Sequence, residues 1–239
     1  MLVQINMELE ANGLNSNMGS LFHGYLMENI DSAYADYFHY NTTNPFTSCI
    51  FKDIKNDKFF WRVTTFNQKA YDMLMTYFSN IPELIYLKNR DLKVNIKSFS
   101  IQKKSYEDLF LECTKRKRIR LITPTSFKSN GVTHIFPNIS TLISGVIAKI
   151  NQHSETAELG DKKIIDELLE KVYIKDYNLR TKVFYLESIK IKGFIGTMKL
   201  AIRGEDTTLA NILNFLILMS EYTGLGIKTS LGMGGVKVE

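Results

Sequence analysis

The residue types best suited to chemistry lie close to the end of the sequence, in Gly224-Leu225-Gly226-Ile227-Lys228-Thr229-Ser230-Leu231-Gly232-Met233-Gly234-Gly235. Glycines at this density let the backbone take positive φ and let a ligand approach without a Cβ in the way. Successive exposed N–H groups in such a turn form a concave anion site, and Lys228, Thr229 and Ser230 add a charge and two hydroxyls. A phosphate suits that site. A glycine-dense turn between two packed elements has the same spelling, so the spacing alone leaves both readings open. His39 offers a second kind of chemistry, an imidazole able to move a proton near neutral pH. Its alternative is a cation placed at the negative end of a helix. Tyr25 and Lys52 are its candidate companions, the one otherwise a core aromatic, the other a solvated strand lysine. Lys115, Arg116, Lys117 and Arg118 form a basic run that either tracks a phosphate backbone or is an exposed connection.

These residues depend on the elements that carry them. Val3, Ile5, Met7 and Leu9 alternate as in a strand. A helical pattern then runs from Gly19 through Phe22, Leu26 and Ile30. It breaks at Asp31-Ser32, either of which suits a helix cap, and resumes through Tyr34 and Tyr37. On one unbroken helix Tyr25 and His39 would lie ~21 Å apart. Two short helices folded back at the break bring them together. Pro45 stops helix, and Phe46 to Phe51 and Lys58 to Phe66 read as a hairpin that carries Lys52. Tyr71 to Phe78 is helical and Leu92 to Ile96 extended, completing β-α-β-β-α-β.

The same order restarts after Tyr106. A strand through Ile119 to Ile122 is followed by helices after Pro137 and around Ile164 to Val172. Strands at Lys182 to Ile191 and Phe194 to Ile202 are expected to join near Lys192-Gly193. A helix capped by Thr207 or Thr208 leads into the glycine-rich turn and a terminal Val236-Lys237-Val238 strand. The fold class expected is α+β, two tandem ferredoxin-like (split β-α-β) domains, at residues 1–104 and 105–239.

Composition narrows the function. The chain has 239 residues and a net charge of +5, a balance that leans toward a polyanionic partner. No run approaches the ~18 apolar residues of a membrane span. The first residues lack a basic start followed by an apolar block, so no signal peptide is expected. Cys49 and Cys113 are far apart without metal-ligand spacing, which suits a reducing cytoplasm. None of His23, His39, His134 and His153 pairs with another at ligand spacing, so no metal is expected.

Three blocks, in order, carry a resemblance: Ile122-Thr123-Pro124-Thr125-Ser126-Phe127-Lys128 with Phe136-Pro137-Asn138, then Ile191-Lys192-Gly193-Phe194-Ile195-Gly196, then Gly224 to Gly235. The series resembles the CRISPR-associated endoribonucleases that cut repeat RNA into guide RNAs, the Cas-six family. Tyr25-Leu26, Ala35 to His39 and Pro45-Phe46-Thr47-Ser48 look like that family's landmarks in its first domain. The resemblance implies two ferredoxin-like domains and cleavage without metal or other cofactor, by attack of a ribose 2′-OH on the adjacent phosphorus. The products would be a 2′,3′-cyclic phosphate and a 5′-OH. His39 would be the general acid or base, Tyr25 would orient or donate to the reacting groups, and Lys52 would stabilise charge on phosphorus. The RNA-binding set would be Gly224, Gly226, Lys228, Thr229, Ser230, Gly232 and Gly234 with the basic run Lys115 to Arg118. The implied partners are CRISPR repeat RNA, single-stranded or hairpin, and subunits of a CRISPR effector complex; a homodimer stays open. An RNA-binding subunit that has lost cleavage fits the same scaffold, and so does a protein-interaction module whose glycine loop is only a turn.

Overall fold

A computed structural model of the chain describes residues 1–40, 43–114, 118–129 and 131–239. Strand β1 (Leu2–Glu10) is followed by helices α1 (Gly19–Glu28) and α2 (Ser32–Tyr40), the hairpin β2 (Phe46–Asp53) and β3 (Lys58–Thr65), and helix α3 (Gln68–Phe78). Strands β4 (Leu84–Leu87) and β5 (Leu92–Lys104) complete the first sheet. Its order is β2-β3-β1-β5-β4 with every pair antiparallel. Leaving out the edge strand β4, this is the ferredoxin-like arrangement. The short β4, opposite the expected strand at Leu92, has no helix or long alternation to mark it.

Alternation along β3 sends its side chains to two different places. Trp61 and Val63 enter a core shared with Phe22, Leu26, Leu74 and Phe78 of the overlying helices. Arg62 and Thr64 point the other way, into the second half of the molecule. There Arg62 Nη1 donates to the Val236 carbonyl at 2.8 Å and Thr64 Oγ1 to the Tyr222 carbonyl at 2.6 Å.

After the short helix α4 (Tyr106–Leu111) come strand β6 (Ile119–Thr125), a small hairpin of β7 (Phe127–Ser129) and β8 (Val132–His134), and helices α5 (Ile139–His153) and α6 (Lys162–Lys171). The long hairpin β9 (Val172–Leu186) and β10 (Ile189–Ile202), helix α7 (Thr207–Thr223) and strand β11 (Val236–Val238) finish the chain. The second sheet runs β11-β6-β10-β9, again antiparallel, and repeats the ferredoxin-like order. Its core gathers Leu142, Val146 and Ile150 of α5 with Leu213, Leu216 and Ile217 of α7.

Two local expectations are corrected. The turn of the β9–β10 hairpin is at Glu187-Ser188, where Glu187 takes φ 52°, and Lys192-Gly193 lies inside β10. Gly193 is there because a Cβ would stand 2.5 Å from the Thr125 carbonyl oxygen of the neighbouring strand. Helix α7 is capped by Asp206, whose carboxylate accepts from the Leu209 amide at 2.9 Å, and Thr207 is its first residue.

Candidate active site and RNA interface

The three sequence blocks meet in space. The amides of Gly234 and Gly235 donate to the Pro124 carbonyl at 3.0 Å and to Thr123 Oγ1 at 2.8 Å, and the Ile227 amide donates to the Ser126 carbonyl at 2.9 Å. A Cβ on Gly226 would collide with that same Ser126 carbonyl, so the glycine allows the loop to lie flat on the end of β6. Met233, fully buried, plugs the loop into Phe184, Leu186 and Ile191 at the tip of the long hairpin. The glycine-rich stretch is thus a packed layer from which Lys228 is exposed. Among the described residues, the amides of Lys228, Thr229, Ser230 and Gly232 have no protein acceptor. Those of Leu225, Leu231 and Met233 are already spent within the loop, on Gly234 and Lys228. Lys228 is exposed and holds φ 55°, while Thr229 and Ser230 are almost closed off from solvent.

The loop touches the first sheet directly. The Ser48 amide of β2 donates to the Thr229 carbonyl at 3.0 Å, and Asn44 Nδ2 donates to Ser230 Oγ at 3.3 Å. At the start of α1, Gly19 lies against Gly232, backbone to backbone. Helix α2 carries His39, and Asp31 opens that helix as expected, accepting from the Ala33 amide at 2.8 Å. Phe38 is buried, its ring against Phe46 at 4.7 Å, and His23 of α1 stacks on the same Phe46 at 5.9 Å. Burial of Phe38 anchors α2 against the first sheet. The His39 side chain is outside what the structure describes.

The candidate companions Tyr25 and Lys52 have contacts of their own. Tyr25 lies on α1, which contacts α2 across the expected break, but its ring meets Tyr77 of α3 edge-on at 6.0 Å. Lys52 is six residues along β2 from Phe46, roughly 20 Å at strand rise. Its ammonium pairs with Asp57 in the hairpin turn at 2.5 Å. Arg118 lies at the start of β6, at the opposite end of that strand from the loop, and reaches Asp176 at 3.4 Å. Lys115, Arg116 and Lys117 lie outside the described residues.

Sequence reasoning missed a partly buried polar seam beside the loop. Lys149, Gln152 and His153 occupy one face of α5, at the i, i+3, i+4 spacing. Lys149 Nζ donates to the Thr223 carbonyl at 2.6 Å and to Thr229 Oγ1 at 3.2 Å. Burial pushes its pKa down to about 7. His153 Nε2 meets the Thr43 carbonyl at 2.9 Å and the Thr43 hydroxyl at 3.1 Å. A carbonyl only accepts, so Nε2 carries the proton. Burial lowers this imidazole's pKa. Three polar side chains at helical spacing beside the Leu142, Val146, Ile150 pattern were the available signal.

Two ferredoxin-like units meet at a glycine-rich loop, and the first of them carries the His39 helix α2. The profile of the CRISPR-associated endoribonuclease Cas6 family matches residues 119–236. The Cas6 endoribonuclease of Streptococcus thermophilus is 31% identical over 224 residues, covering 91% of this chain and 90% of that protein. The Cas6 of Mycobacterium tuberculosis is 23% identical, covering 94% of this chain and 72% of its own. A solved Cas6 product complex superimposes with a TM-score of 0.84 at 20% identity, over all of both chains. The chain belongs to the Cas6 family of CRISPR-associated endoribonucleases, and its activity is endoribonuclease processing of CRISPR repeat RNA. Its fold is the tandem ferredoxin-like one.

Proposed function

We propose that the chain cleaves CRISPR repeat RNA by transesterification, with His39 as the general acid or base, and that residues 1–104 and 105–239 are its two domains. One observation carries this reading. The segment directly after α2 is fastened to the glycine-rich loop, through Asn44 on Ser230 and Ser48 on Thr229. Five residues span at most about 18 Å, so His39 is held within that distance of Asn44.

In the reaction the ribose 2′-OH loses its proton and its oxygen attacks the neighbouring phosphorus. The bond from phosphorus to the 5′ oxygen breaks, and that oxygen takes up a proton. The products are a 2′,3′-cyclic phosphate and a 5′-OH, with no redox step and no metal required. The amides of Lys228, Thr229, Ser230 and Gly232 that have no protein acceptor among the described residues, with the Lys228 ammonium, hold phosphate oxygens near the cut. Placement of Tyr25 against Tyr77 and of Lys52 on Asp57 favours packing and hairpin roles for those two. His39 is left as the residue to test first. RNA from the host's CRISPR repeat, offered in EDTA, is expected to be cut by the native protein and bound but not cut by His39→Ala. A 2′-deoxy nucleotide before the scissile phosphate is expected to stop the native protein as well. Substantial turnover by His39→Ala would show the acid/base assignment to be wrong.

A further inference from the structure

The seam on α5 belongs to the second ferredoxin-like unit, yet its polar groups grip two segments on which the proposed chemistry depends. Lys149 holds Thr229, a member of the glycine-rich loop, and at the same time the last carbonyl of α7, at Thr223. A helix leaves its final carbonyls without intrahelical partners, so an amine N–H donor is well placed at that point. His153 holds Thr43, four residues beyond His39, by its backbone carbonyl. The Thr43 hydroxyl in turn donates to Gln152 Oε1. Both contacts rise from one rigid face of one fifteen-residue helix. The loop that would grip RNA and the strap that follows the histidine helix are therefore set against a common ruler.

Resting on the reading of His39 given above, we infer that Lys149 and His153 are positioning residues for cleavage, holding the glycine-rich loop and the strap after α2 in mutual register. Neither needs to touch RNA. Their contribution is geometric, and a displacement of about 1 Å between reacting groups costs up to ~100-fold in rate. Uniform binding is a different quantity from transition-state alignment, so the effect belongs in the rate at saturation rather than in affinity.

The test is single-turnover cleavage of host CRISPR repeat RNA with the protein in saturating excess, alongside the dissociation constant of the same RNA carrying the 2′-deoxy block. Lys149→Met keeps the aliphatic stem and loses the donor. His153→Ala loses the imidazole, and His153→Gln restores a donor able to reach the Thr43 carbonyl. We expect Lys149→Met and His153→Ala to slow the saturated rate by tenfold or more with affinity changed by less than threefold. We expect His153→Gln to recover to within about threefold of native. Should one variant fail to fold, Gln152→Ala together with the other single variant carries the same measurement. Saturated rates within threefold of native for Lys149→Met and His153→Ala, with His39→Ala inactive, overturn this inference and leave the assignment of His39 standing. Loss of affinity alone, with the saturated rate restored, overturns it equally. Active His39→Ala removes the foundation of both.

Discussion

Lys228 is the residue whose backbone and side chain pull the interpretation in one direction. A non-glycine residue at positive φ is uncommon and carries strain, and Lys228 holds φ 55° while remaining exposed. Glycine at this position relieves the backbone, so its replacement separates conformation from charge. Lys228→Gly is expected to leave thermal stability equal or slightly higher and to weaken RNA binding about three- to tenfold at low salt. If Lys228 neutralises one phosphate of a single strand, the slope of log affinity against log salt falls by about 0.7. Unchanged affinity and slope would make the loop a structural turn only. The position was legible in the sequence as a lysine among glycines. Which amides of the loop remain open was not, because that depends on Pro124 and Ser126, about a hundred residues earlier.

At the scale of elements, the β6–β10 pairing and helix α5 make separate predictions. Gly193→Ala puts a methyl carbon 2.5 Å from the Thr125 carbonyl oxygen, and backbone on both sides leaves little room to yield. The strands must part, at a cost of about 2–4 kcal/mol by analogy with other strained insertions, read as a lower urea midpoint with unchanged slope. Helix α5 predicts a pH dependence. The Lys149 pKa is pushed down to about 7 by burial, against about 10.4 in an unfolded chain. Between these values the unfolded state binds more protons than the folded one, so stability rises with pH across that window. The thermal midpoint of the native protein should therefore climb relative to that of Lys149→Met from pH 7 to pH 10, and parallel curves would place the ammonium in solvent. The helices and most strands follow from periodicity. The hairpin turn was misplaced because Gly193 reads as a turn residue, whereas its purpose is close approach of a neighbouring strand.

At the scale of the molecule, the two sheets are joined through polar groups as well as packing. Arg62 donates to Asn6 Oδ1 at 3.0 Å and to the Val236 carbonyl of the last strand at 2.8 Å. Arg62→Met strands both acceptors in a buried seam, and about 1–3 kcal/mol of stability should be lost for each group left unsatisfied. Urea unfolding measures it. A loss under about 0.5 kcal/mol would mean that solvent reaches the seam. Among the described residues no helix is long and apolar enough to cross a membrane.

The sequence by itself determined the β-α-β-β-α-β order underlying each half, the break between α1 and α2, and the three blocks that mark the family. Local periodicity, proline and glycine act over a few residues and need no partner to be read. Only the tertiary structure decided what the glycines are for, where Tyr25 and Lys52 point their side chains, and that α5 reaches both Thr43 and Thr229. The α5 contacts join residues 110 and 80 apart in the chain, and no spacing along the chain encodes a distance across it.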